Sequence, residues 1–200
     1  MRKTFFVAIF LVATSATFAQ IPMEVLVGNR QVHYINYWQK NLDKAGKLNF
    51  FSLNRFLVDY KDSTLNSISF DGQLTKQFQD WIGISVGGSY EGGSFVPSLG
   101  LPLGYANRKE TFLVETYPTF ALFSRKVYFS LLGFMVYKPQ FNQKWGMFSQ
   151  LIFDPNTQLL RLGANYKQKF QFGLGADFFR LEEPTRNIQN LGLFLRYEIE

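Results

Sequence analysis

The 200-residue chain predicts an all-β protein, a closed antiparallel transmembrane β-barrel, on three observations. Its clearest pattern has a period of two, its segments have the length of membrane-crossing strands, and beyond the N-terminus it holds no apolar run long enough for a spanning helix. The stretch 67–90, "SISFDGQLTKQFQDWIGISVGGSY", carries the first observation. Ile68, Phe70, Leu74 and Phe78 share one face with Ile82, Ile84, Val86 and Tyr90. Ser67, Ser69, Asp71, Gln73, Thr75 and Gln77 share the other with Gly83, Ser85, Gly87 and Ser89. Such alternation is an extended strand whose faces meet different environments.

The chain opens "MRKTFFVAIFLVATSATFAQ". Arg2 and Lys3 precede an apolar run from Phe5 to Ala13, and small residues lead to Ala19. This order predicts a signal peptide over 1–19, cut after Ala19. The apolar run is well short of the roughly 20 residues that a spanning helix requires. The chain has no cysteine, so neither a lipid-anchoring cysteine nor a disulfide framework is available to the exported protein. Taking Arg2 and Lys3 from 21 basic residues leaves 19 against 15 acidic, and the excess is scattered. That distribution argues against a nucleic-acid partner.

Residues 20–46 form an N-terminal segment in which "MEVLVGNRQVHYINYWQK" (23–40) reads as a first strand, followed by the loop "NLDKAG". From 47 to 200 the barrel proper is expected, with strands at 47–60, 66–78, 81–93, 109–123, 126–138, 144–154, 157–167, 169–181 and 190–199. Turn residues separate them: Gln79-Asp80, Ser124-Arg125, Asp154-Pro155-Asn156 and "EEPTRN" at 182–187. "SFVPSLGLPLGYANR" reads as a long loop. Hairpin barrels close with an even count, which makes the expectation ten strands. Eight follow if the first segment is dropped and a weak pair merged.

The polar face is bland, with Ser, Thr, Gln and Gly where a soluble barrel would carry many charges. It therefore suits an interior, and the apolar face, such as Leu160, Leu162, Ala164 and Tyr166, suits lipid. Trp38, Tyr60, Phe78, Trp81, Tyr137, Trp145, Tyr166 and Tyr197 lie near strand ends, where interfacial girdles need amphipathic rings. Sparse charges remain for the lumen. Arg55, Asp71, Glu115, Arg161, Asp177 and Arg196, with Asp59 and Glu198 beside them, are expected to neutralise one another in an interior filled by side chains.

The final strand, "NLGLFLRYEIE", carries Asn190, Gly192, Leu195 and Tyr197 in polar-Gly-hydrophobic-aromatic order. With the strand pattern, this resembles the small outer-membrane β-barrel proteins of Gram-negative bacteria. The resemblance covers roughly 47–200 and departs at the end, where three residues follow Tyr197. It implies residence in the outer membrane, contact with its lipid and lipopolysaccharide, and folding by the barrel-assembly machinery, with an envelope protein as a further candidate partner. It implies no particular activity.

The expected role is therefore structural or interaction-based, with no catalytic, cofactor-binding or metal site. Two alternatives stay open. "GISVG" (83–87) matches G-x-S-x-G, but Ser85 lies mid-strand, without the strand-turn-helix context that activates such a serine. An enzyme acting on lipid A or phospholipid would have to use His33, the one histidine. A soluble periplasmic barrel carrying an apolar ligand would require the opposite assignment of faces.

Overall fold

A computed structural model describes residues 21–199 except 92, 110, 124–125 and 182–185. The expected signal peptide, the Ser124-Arg125 turn and most of the 182–187 loop lie outside the described residues. Among the described residues the strands are β1 (Ile21–Gly28), β2 (Gln31–Asn41), β3 (Leu48–Asp59), β4 (Ser67–Gln79), β5 (Ile82–Glu91), β6 (Ser94–Gly100), β7 (Leu103–Ala106), β8 (Phe112–Phe123), β9 (Lys126–Tyr137), β10 (Trp145–Phe153), β11 (Thr157–Tyr166), β12 (Phe170–Leu181) and β13 (Arg186–Ile199). Every pairing is antiparallel, and β13 returns to β1 from Ile21↔Ile199 to Gly28↔Gly192, which closes the sheet into a barrel.

β6 and β7 both lie between β5 and β8, with Gly100 opposite Thr119 and Leu103 opposite Thr116. They are two halves of one spanning strand broken at Leu101-Pro102. Proline has no N–H for the ladder. At the break the Leu101 N–H donates to the Pro118 carbonyl at 2.9 Å, and the Pro102 carbonyl accepts from the Gly83 N–H at 3.1 Å. The wall thus has twelve spanning strands, not ten or eight.

Two readings account for the difference. The segment 23–40 is a hairpin of two strands, turning at Asn29-Arg30. The stretch read as a long loop, "SFVPSLGLPLGYANR", is the interrupted strand. With twelve strands Ile21, Ile199 and the connections that follow Asn41, Gln79, Ala106, Tyr137 and Tyr166 lie at one end, here the terminal end. In the first of these turns the Asp43 carboxylate accepts the Leu48 N–H at 3.0 Å, which lowers its pKa from the ordinary value.

The faces sort as the alternation requires. Ile68, Phe70, Leu74, Phe78, Ile84, Val86 and Tyr90 are exposed on the outside, and Ser69, Thr75 and Ser85 are buried inside. Leu162, Leu174, Leu193 and Leu195 continue the outer band, with Leu174 and Leu193 each 66% exposed. A monomer in water rarely leaves a contiguous apolar patch beyond a few hundred Å². An apolar belt around a closed barrel is instead a lipid-facing surface. The soluble, greasy-side-in alternative is ruled out by the same exposures.

All three tryptophans, Trp38, Trp81 and Trp145, stand at the terminal end with Tyr137, Tyr166 and Tyr197. Several are held by neighbouring rings: Trp145 on Tyr166 at 4.7 Å, Trp38 on Phe50 at 5.0 Å, and Tyr197 on Phe170 at 4.6 Å. This is the amphipathic girdle that an interface favours.

Candidate functional site: the barrel lumen

Inward side chains divide the lumen into zones. Around the middle, Arg161 is 1% exposed and reaches two carboxylates: its Nε donates to Glu24 and its Nη1 to Asp177, each at 2.6 Å. The other Asp177 oxygen lies 3.0 Å from His33 Nδ1. Four strands, β1, β2, β11 and β12, are tied together by these contacts. A guanidinium can satisfy two carboxylates in a fixed plane, and taking it away would strand both in a dry interior.

Toward the end away from the termini, Arg30 Nε and Gln31 Nε2 both donate to Asp59 at 2.9 Å. Asn190 closes the hairpin turn there, since its Oδ1 accepts the N–H groups of Arg30 and Gln31 and its Nδ2 donates to the Gln31 carbonyl. Arg55 donates to Ser69 at 3.1 Å and to Asp71 at 3.4 Å. Thus the expected lumen charges Arg55, Asp71, Arg161 and Asp177 all point inward and meet carboxylate or guanidinium partners.

Of the residues read as an assembly signal, Asn190 is fully buried while Leu195 and Tyr197 face outward. A Cβ at Gly192 would overlap the Val27 carbonyl oxygen, so the closing β1–β13 pair requires glycine there.

Toward the terminal end, Arg196 bonds Gln150 at 2.9 Å, Tyr37 and Glu198 at 3.1 Å. Beside this group, rings from distant strands meet across the lumen. Phe51 of β3 stacks on Tyr117 of β8 with centroids 5.6 Å apart, and Phe134 of β9 meets both edge-on. Ile35, Leu53, Ile152 and Leu159 extend the same cluster. This cluster is apolar.

Two cavities open on the terminal side. One, of about 320 Å³, is lined by Tyr37, Phe51, Leu113, Glu115, Phe134, Val136, Lys138, Gln150, Arg196 and Glu198, among others. Its smaller neighbour, about 130 Å³, shares Gln39, Leu113 and Glu115 and adds Asp80, Trp81 and Tyr105. Glu115 therefore stands on a wall common to both. Among the described residues its carboxylate accepts one side-chain hydrogen bond, from the Tyr117 hydroxyl at 3.1 Å. The sequence marked Glu115 as a lumen charge but not Lys138, the last residue of the strand expected at 126–138, which the structure places one residue past β9.

The candidate hydrolase residues are not brought together. His33 on β2 is engaged with Asp177, Ser85 lies within β5, and no hydrogen bond joins them. Among the described residues no group of three or more acidic, histidine or cysteine side chains is arranged to hold a metal ion.

No protein-family model matches the chain, and no curated protein matches it in sequence. Solved structures do. A structure of the NanC porin is 8% identical, with 92% of this chain and 100% of that chain covered and a TM-score of 0.50. The KdgM porin is 14% identical over 89% and 98%, with a TM-score of 0.49. At these identities the similarity to NanC is one of fold. It corrects the expected structural or interaction role with a side-chain-filled lumen, because the solved barrel of the same fold, NanC, is a porin. The chain is an integral outer-membrane β-barrel with a porin-like fold.

Proposed function

We propose that this protein is a narrow channel of the outer membrane, passing small solutes through its lumen without chemical change. The observation that carries the reading is the cavity of about 320 Å³, which runs from the terminal mouth to Arg196, Gln150 and the aromatic cluster. Twelve strands support it further. Barrel diameter grows with strand number, and about eight strands already give an interior that side chains just fill. The porin fold of NanC supports the same reading. Lumen charges that are paired along the wall leave the axis free of isolated buried ions, and the apolar narrowing around Phe51 gates such a path by controlling its wetting.

The test is conductance. Purified protein that shows the faster-migrating unboiled band of a closed barrel is reconstituted into a planar lipid bilayer in KCl. Discrete current steps are expected, and Phe51→Ala should enlarge them by widening the narrow point. A flat current from folded, inserted protein, in both wild type and Phe51→Ala, would sink the channel reading.

A further inference from the structure

On that channel reading, we propose that the larger cavity is a binding site for a small zwitterion whose ammonium and carboxylate are separated by an apolar body, such as a short apolar peptide. The inference starts from charge pairing. Each lumen arginine discussed above already faces a carboxylate: Arg30 with Asp59, Arg55 with Asp71, Arg161 with Glu24 and Asp177, and Arg196 with Glu198. An acidic solute would find each of these four guanidinium groups already facing a carboxylate. Among the described residues, two charges of opposite sign in this cavity remain outside any ion pair, Glu115 and Lys138.

Their placement follows from the β8–β9 register. Glu115 is opposite Phe134 and Leu113 is opposite Val136. Lys138 comes next in the same alternation, where its N–H donates to the Thr111 carbonyl at 2.8 Å. Phe134, Val136 and Lys138 thus form one inward row, with Glu115 at the deep end and the lysine at the rim. Four residues of strand place the two backbones about 14 Å apart. Glu115 turns its carboxylate toward Gly104 and the Tyr117 hydroxyl, and Leu113, Val136 and Phe134 line the same cavity between it and Lys138.

A bound zwitterion would set its ammonium against Glu115, its apolar body on that strip, and its carboxylate at Lys138. A solute with one charge would leave one of these groups unmatched. Charge-assisted hydrogen bonds discriminate strongly in such a partly desolvated place.

Calorimetry on the folded protein in detergent tests this with leucyl-leucine and its acetylated and amidated forms, which lack the ammonium and the carboxylate charge respectively. The free dipeptide is expected to bind about tenfold more tightly than either capped form. Glu115→Gln should weaken the free and amidated peptides and leave the acetylated one unchanged, and Lys138→Gln should do the converse. The double exchange Glu115→Lys with Lys138→Glu should restore binding of the free dipeptide, in reverse orientation. Equal binding of all three peptides, or no binding in a wild type that keeps its unboiled gel shift, overturns the proposal. Because binding is read without current, a barrel that binds but does not conduct refutes the channel and keeps the site; one that conducts but does not bind does the reverse.

Discussion

The middle of the lumen and its terminal mouth are built from the same residue types to different ends. In the middle, Arg161, Glu24, Asp177 and His33 are buried, and contacts of 2.6–3.0 Å join them in one group. At the mouth, Glu115 and Lys138 are half-buried beside a cavity and lie outside any ion pair. The difference separates structural charge from available charge. Where guanidinium and carboxylate are buried against each other, they lock neighbouring strands and offer no free charge to a solute. A charged group left facing space can be matched by whatever enters.

The comparison can be broken most forcefully in the middle. Arg161→Ala leaves Glu24 and Asp177 buried without their cation, and should cost about 3–5 kcal/mol of barrel stability. The check is the urea concentration at which the unboiled gel shift is lost. An unchanged midpoint would mean that the network is no more structural than the mouth.

A lipid-face control follows in size. Leu174 lies outside the lumen altogether, between Leu162 and Leu193 on neighbouring strands. Leu174→Arg should cost about 2–4 kcal/mol near the midplane, seen as reduced recovery in the membrane fraction. Wild-type recovery would show that the outer band is not in hydrocarbon.

The smallest effect belongs to the mouth. Glu115→Gln should change stability by no more than about 0.5 kcal/mol in the same urea experiment, since it keeps the size of the side chain and breaks no ion pair. A loss approaching that of Arg161→Ala would make Glu115 part of the wall and erase the distinction between the two zones.

Much of the wall was legible from the chain alone. The segments expected at 157–167 and 169–181 correspond to Thr157–Tyr166 and Phe170–Leu181, because alternation and turn residues are local properties. The first hairpin was missed although Gly28-Asn29 is a turn signal, since the flanking residues continue to read as strand. The interrupted strand was missed for the opposite reason. Pro97, Pro102 and several glycines read as loop, and only pairing to β5 and β8 makes Ser94–Ala106 part of the wall.

The site divides in the same way. The types and inward parity of Arg161, Asp177, Glu115 and Arg196 were visible in sequence, but their partners were not. Arg161 and Glu24 are 137 residues apart, and Phe51 of β3 meets Tyr117 of β8 across the lumen.

What the sequence by itself determined was therefore the strand character, the sorting of polar from apolar faces and the lipid-facing band, all consequences of a two-residue period that each strand carries alone. Tertiary closure decided the number of strands, the pairing of the lumen charges and the cavity left between them. Those depend on which residues meet across the barrel, and that is set only when β13 closes on β1.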